Sequence, residues 1–185
     1  MTYYGGREMA ASFRTVRNNT IQIAEEIPEE QYAFKAASDT RSVGQTLVHI
    51  AFGHHFQTYV HQNRLDDLAK VNFPQLMQEN GANENKPRTK ADVLALLKTE
   101  GEKFAAYLEG LNESFLAEPV RMPPGSEPAT KSRFEMLLSA KEHEMHHRAQ
   151  LMVIQRMIGL TPHITRRMQE RMASRAHQPQ PQATR

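Results

Sequence analysis

The chain has 185 residues, enough for one domain with a sizeable core, and a formal net charge of only +2, which gives no broad basic field for nucleic acid. It contains no cysteine, so disulfides, thiolate nucleophiles and cysteine-ligated zinc are excluded, and histidine and carboxylate remain as the strong metal ligands. No apolar run approaches the length of a membrane span, and the N-terminal MTYYGGREMA lacks a basic start followed by an apolar core, so a soluble, cytoplasmic protein is expected.

Helical periodicity dominates, and no stretch alternates as a strand would. The first helix is predicted over about Arg7 to Ile27, ending at Pro28. After the connection PEEQYAFKAASDTR, Ser42 can cap a second helix with the sequence VGQTLVHIAFGHHFQTYVHQ. Residues Arg64 to Arg88 hold two prolines, a glycine and several asparagines, which predicts a long crossover with at most a helical turn or two. Thr89 can cap a third helix, Lys90 to Leu111. The polar connection RMPPGSEPATKS leads to the longest helix, about Arg133 to Leu160. Thr161 and Pro162 then supply an N-cap and first-turn proline for a short fifth helix reaching about Ala176. The expected organisation is all-α. Residues 1–160 form a four-helix bundle with a long crossover between helices 2 and 3, which lets that central pair run parallel; 161–176 form a C-terminal helical extension and 177–185 a disordered tail.

Nine histidines are unevenly spread, and KEHEMHHRAQLMVIQRM (Lys141 to Met157) holds three of them within five residues. At about 100° per residue, Met136, Leu151, Ile154 and Ile158 fall within about 40° of Ala140 and mark the core stripe. His147 lies about 20° from its centre and His143 about 60°, one turn apart on the same side. Glu144 lies about 40° to the other side, and His146 points away. On the second helix His49 is in line with Phe52, Phe56 and Val60. A buried imidazole needs a partner. For any one of these three, a core histidine bonded to backbone or carboxylate is the simpler account. For His49, His143 and His147 together, a shared metal ion accounts for more.

His143 to His147 also spells H-E-x-x-H, the zinc-peptidase motif. The extended form would need Gly at 150 and His at 153, where this chain has Gln150 and Val153, and no strand is available to hold a peptide. A peptidase is not expected. In the amphipathic stretch RRMQERMASR (Arg166 to Arg175), an arginine stripe runs beside Met168 and Met172. This suits docking on the bundle or on a dimer partner better than nucleic-acid binding.

Two stretches carry a family resemblance. RSVGQTLVHIA (Arg41 to Ala51), a serine-led turn and a helix bearing His49, and EHEMHHRAQL (Glu142 to Leu151) are similar to the second-helix and last-helix motifs of the DinB-like (DinB/YfiT) superfamily of metal-binding bundles. The likeness spans about residues 7 to 160. It implies one divalent ion held by His49, His143 and His147 with a further position open, and a homodimer. Zinc is the expected ion, with nickel or iron as alternatives. By analogy with characterised branches, it implies a metal-dependent thiol S-transferase, or a related hydrolase or isomerase, acting on a low-molecular-weight thiol and an electrophile. The alternative is a non-catalytic metal-binding bundle with a structural or interaction role. Glu144 and Gln150 are candidates to orient water or a ligand, Glu144 is also the one candidate for a catalytic group, and Tyr59 is a candidate pocket residue.

Overall fold

The computed structural model describes residues 4–176, so the tail expected at 177–185 lies outside the described residues. Four elements form the bundle: α1 (Gly6–Glu26), α2 (Val43–Phe52) continued by α3 (His55–Gln62), α5 (Lys90–Glu109) and α7 (Arg133–Met157). Between them lie α4 (Phe73–Glu84) in the crossover, α6 (Glu113–Ala117), and two short strands, β1 (Pro119–Arg121) and β2 (Thr130–Ser132). The C-terminal helix α8 covers His163–Ala176.

Local chemistry sets most of these starts. Ser42 Oγ accepts the Gln45 N–H at 3.2 Å while Gln45 Oε1 accepts the Ser42 N–H at 2.9 Å, a reciprocal cap that fixes the first turn of α2. Thr89 and Asp92 do the same for α5, and Ser132 Oγ accepts the Glu135 N–H at the start of α7.

Side-chain pairs give the directions. Arg14 meets Glu102 and Glu109, and Lys98 meets Glu25, so α1 and α5 are antiparallel. His49 faces His143, Gln57 reaches Ser139 and Arg133 reaches His61, so the α2–α3 rod runs antiparallel to α7. Lys141 pairs with Ser12 and Gln155 with Glu26, so α7 runs with α1. The order is therefore up, down, down, up, and the central pair is parallel as the long crossover predicted.

Two apolar clusters fill the bundle. One is built around Ile23, Leu47, Ile50, Leu97 and Leu151, the other around Phe13, Phe104, Leu108, Leu137 and Ala140. Where they meet, a buried ion pair replaces apolar contact: Arg17 Nε lies 3.0 Å from both carboxylate oxygens of Glu144. The same guanidinium donates to the Leu97 carbonyl at 2.8 Å and the Ile50 carbonyl at 3.1 Å, so one side chain joins all four bundle elements. Gly101 makes room for it, since a Cβ there would lie 2.7 Å from Arg17 Cγ.

Three expectations are corrected. The second helix is not continuous; it breaks at Gly53-His54, and beyond the break His54 and His61 are buried. The crossover holds a helix of 12 residues, α4, longer than a turn or two. Its large apolar side chains, Phe73, Leu76 and Met77, all lie near its start, so no apolar stripe runs its length for a periodicity reading to find. The connection before α7 contains an antiparallel pairing, Val120 opposite Lys131, and Val120 is fully buried beneath the crossover with Val60, Leu68 and Met136. The fifth helix forms as expected, but Met168 and Met172 stay exposed. Its contacts to α1 are polar, from His163 to Asn19, Arg166 to Glu26 and Arg167 to Gln22. No helix among the described residues is long and apolar enough to cross a membrane.

Candidate metal centre

Because α2 and α7 pack antiparallel, His49 comes level with the turn that carries His143 and His147. The His49 and His143 Nε2 atoms are 2.9 Å apart, and the three ring centroids are separated by 4.6 to 4.8 Å. One ligating nitrogen from each ring lies within 4.8 Å of the others. Zinc–nitrogen bonds of about 2.0–2.1 Å in a tetrahedral site would separate the nitrogens by about 3.3 Å, a spacing that needs only small side-chain adjustments.

The opposite edges of two rings are tied down. His49 Nδ1 donates to Glu84 Oε1 at 2.7 Å, and Arg41 Nε donates to the other Glu84 oxygen at 2.6 Å. His147 Nδ1 donates to Gln150 Oε1 at 2.8 Å. Each bond places the ring proton on Nδ1 and leaves the Nε2 lone pair directed inward, the tautomer a metal ligand requires. His143 Nδ1 is buried without a partner and lies against Gly53, where a Cβ would fall 2.6 Å away. Burial lowers the pKa of all three imidazoles, most strongly for His143, pushed down to about 4 by burial and then by its histidine neighbours. Neutral rings with converging lone pairs repel one another at 2.9 Å unless a proton or a cation sits between them. The donor set therefore fits a divalent transition ion, with imidazole the ligand type suited to zinc, copper, iron and nickel.

Beside the cluster opens a cleft of about 750 Å³, lined by His147, Gln150, Glu84, Arg41, Lys35 and Asp39 among others. It is large enough for a small molecule and carries both basic and acidic side chains at its wall.

The sequence-predicted residues divide clearly. His49, His143 and His147 converge, and Gln150 supports His147 from the cleft wall. His146 is exposed and meets Gln150 Nε2 at 3.2 Å. The structure does not bring Glu144 to the histidines, because its carboxylate is committed to Arg17 inside the core. Nor does it bring Tyr59 to the cleft wall; that side chain is exposed on α3. Glu84 and Arg41 were missed as site residues. Arg41 opens the quoted motif RSVGQTLVHIA, but nothing in the sequence links it to a carboxylate over 40 positions away in the crossover.

Comparison with known proteins places this geometry in a family context. Residues 12–151 match the family described as the DinB superfamily. The protein YjoA of Bacillus subtilis (strain 168) is 29% identical over 157 residues, covering 83% of this chain and 91% of the relative. A crystal structure of YjoA, described as a DinB-like protein, superposes with a TM-score of 0.61 at 27% identity, covering 83% of this chain and 94% of that one. YfiT from Bacillus subtilis, described as a probable metal-dependent hydrolase with an unusual four-helix bundle topology, superposes with a TM-score of 0.66 at 16% identity, covering 87% and 91%. At that identity the likeness to YfiT speaks for the fold alone.

Proposed function

The chain belongs to the DinB superfamily, and from that premise we propose that it binds one divalent transition-metal ion through His49, His143 and His147 and uses it on a small molecule in the adjacent cleft. The observation that carries this reading is the 2.9 Å approach of the His49 and His143 Nε2 atoms, with the outer nitrogen of His49 held by Glu84 and that of His147 by Gln150. Zinc is the proposed ion, with nickel or iron able to take the same donors.

A divalent ion with an open position eases loss of a proton from a water or a thiol near neutral pH. This supports a thiol S-transferase using a low-molecular-weight thiol, or a hydrolase, the activity ascribed to YfiT. In either case the chain's own residues would do the rest. Glu84 and Gln150 orient the imidazoles, and Arg41 and Lys35 present positive charge to a substrate at the cleft wall. The chain supplies no cysteine, so the sulfur of a thiol reaction would come with the cosubstrate. A non-catalytic bundle that holds the ion without turnover is the second reading. It is favoured by the commitment of the two acidic side chains nearest the rings: Glu144 is paired in the core and Glu84 is bonded to both His49 and Arg41.

The test is elemental analysis of untagged protein beside His49→Ala and His147→Ala, followed by a screen of thiol–electrophile pairs and of activated esters and amides. About one ion per chain in the parent, lost in both folded variants, supports the site. Turnover that disappears with the ion supports the enzyme, and metal retention without turnover favours the second reading. Binding indifferent to His49 overturns both. The same reading includes a homodimer, for which exposed Val153, Met157, Met168 and Met172 supply apolar surface; light scattering tests it.

A further inference from the structure

The break between α2 and α3 places two adjacent histidines beside one carboxylate. His55 Nε2 lies 3.1 Å from Glu100 Oε2 on α5, and His54 Nε2 lies 3.9 Å from the same oxygen. The two rings stand nearly perpendicular with centroids 5.0 Å apart, and one ligating atom from each of the three residues lies within 4.8 Å of the others. We propose that His54, His55 and Glu100 form a second site for a divalent transition-metal ion, separate from the centre at His49, His143 and His147.

The buried member of the cluster is the reason to expect a ligand. His54 is 4% exposed, stacked on Phe104 at 4.7 Å and set edge-on to Phe13. Its Nδ1 has no hydrogen-bond partner, and its Nε2 is too far from Glu100 to form one. A buried imidazole left in that condition is costly. A cation drawn to Glu100 Oε2 would take the Nε2 lone pair that faces it and hold the ring proton on the buried Nδ1. Lys103 Nζ binds the other Glu100 oxygen at 2.8 Å, so the ion would take over Oε2 from its present hydrogen bond with His55 Nε2.

The chemistry also sets the kind of ion and the strength of binding. Two imidazoles and one carboxylate select zinc, nickel, copper or cobalt over magnesium or calcium. Lys103 faces Glu100, and the positive charge of Arg17 is felt at His54, so two cations oppose a third. The site is therefore weaker than the three-histidine centre. Its occupancy would tie the first turn of α3 to α5 across the helix break.

Cobalt(II) titration followed by d–d absorption tests this without any substrate. The His49→Ala/His147→Ala variant, with the first centre removed, should keep one binding event. Adding His55→Ala or Glu100→Gln to that variant should weaken the event by more than about tenfold, as loss of a ligand demands. Circular dichroism keeps folding separate from binding; His55 is partly exposed, so its variant should fold. Absence of any event in the double variant, or an event that His55→Ala and Glu100→Gln leave within tenfold, overturns the second site.

Discussion

Glu144 is adjacent to His143 in the chain, yet its carboxylate turns into the core and meets Arg17, whose Nε is 3.0 Å from each oxygen. Both side chains are almost wholly buried. The pair is hydrogen-bonded on its outer side to carbonyls of α2 and α5, so it holds the backbone beside His49 as well as beside His143. Glu144→Gln leaves the guanidinium buried and without its countercharge, which should cost about 3–5 kcal/mol in urea unfolding. Replacing both partners, Arg17→Met with Glu144→Leu, should recover most of that loss. If Glu144 acts only in this structural way, the Glu144→Gln protein that does fold binds the parent's amount of metal.

Glu84 offers the opposite case. Its helix contributes no fully buried residue, and glutamine keeps an oxygen for one of the two bonds, so Glu84→Gln should cost no more than about 1.5 kcal/mol of folding stability. Its carboxylate nevertheless accepts the His49 ring proton. Weakening that acceptor should lower metal affinity by about 10- to 100-fold in competition with a chelator. An unchanged affinity would mean that Glu84 plays no part in holding His49.

Gly53 tests the space behind His143. A methyl group there would lie 2.6 Å from the ring nitrogen and 2.8 Å from Cε1, so the imidazole must shift. Gly53 caps α2 with right-handed dihedrals that alanine also adopts, so alanine gains about 0.4–1 kcal/mol by restricting the unfolded chain, which offsets part of the strain. The expected result for Gly53→Ala is near-parental thermal stability with metal affinity reduced by about tenfold or more.

Acid should destabilise the metal-free protein through its buried histidines. His61 accepts from Arg133 at Nδ1 and donates to Gln57 at Nε2. Burial, and then Arg133, push its pKa down to about 4. Below the unfolded value of about 6.5 the unfolded chain takes up a proton that the folded chain refuses. Stability from this group is complete above that pH and falls by up to about 1.4 kcal/mol per pH unit toward pH 4. Urea midpoints measured with chelator from neutral pH downward should show the decline, and His61→Gln should make it shallower by one proton.

Much of this architecture was legible because its signals are local. Ser42 and Thr89 sit three residues before the groups they cap, and His143 and His147 declare their shared face by a spacing of four. Glu144 was legible as a residue near the core stripe, but its partner was not. Arg17 looks like any polar residue on α1, and only the packing of three other elements buries it. The break at Gly53 and the role of Glu84 depend on what lies opposite each in space. A reading of periodicity along one strand of sequence carries no information about that.

The position of Glu84 on α4 also has a kinetic meaning. The end of that helix meets α2 and the residues before it through Glu84 with His49 and Arg41 and through the capping Asn85 with Gln45, with Phe73 against Phe56 near its start, and it buries no side chain fully. Segments held in this way open at a small fraction of the global unfolding free energy. The amides of α4 should therefore exchange with solvent long before those of α1 or α5. Each opening removes the acceptor from His49 while the bundle stays folded. If the centre holds an ion as proposed, the rate at which it gains and releases that ion should follow the breathing of the crossover.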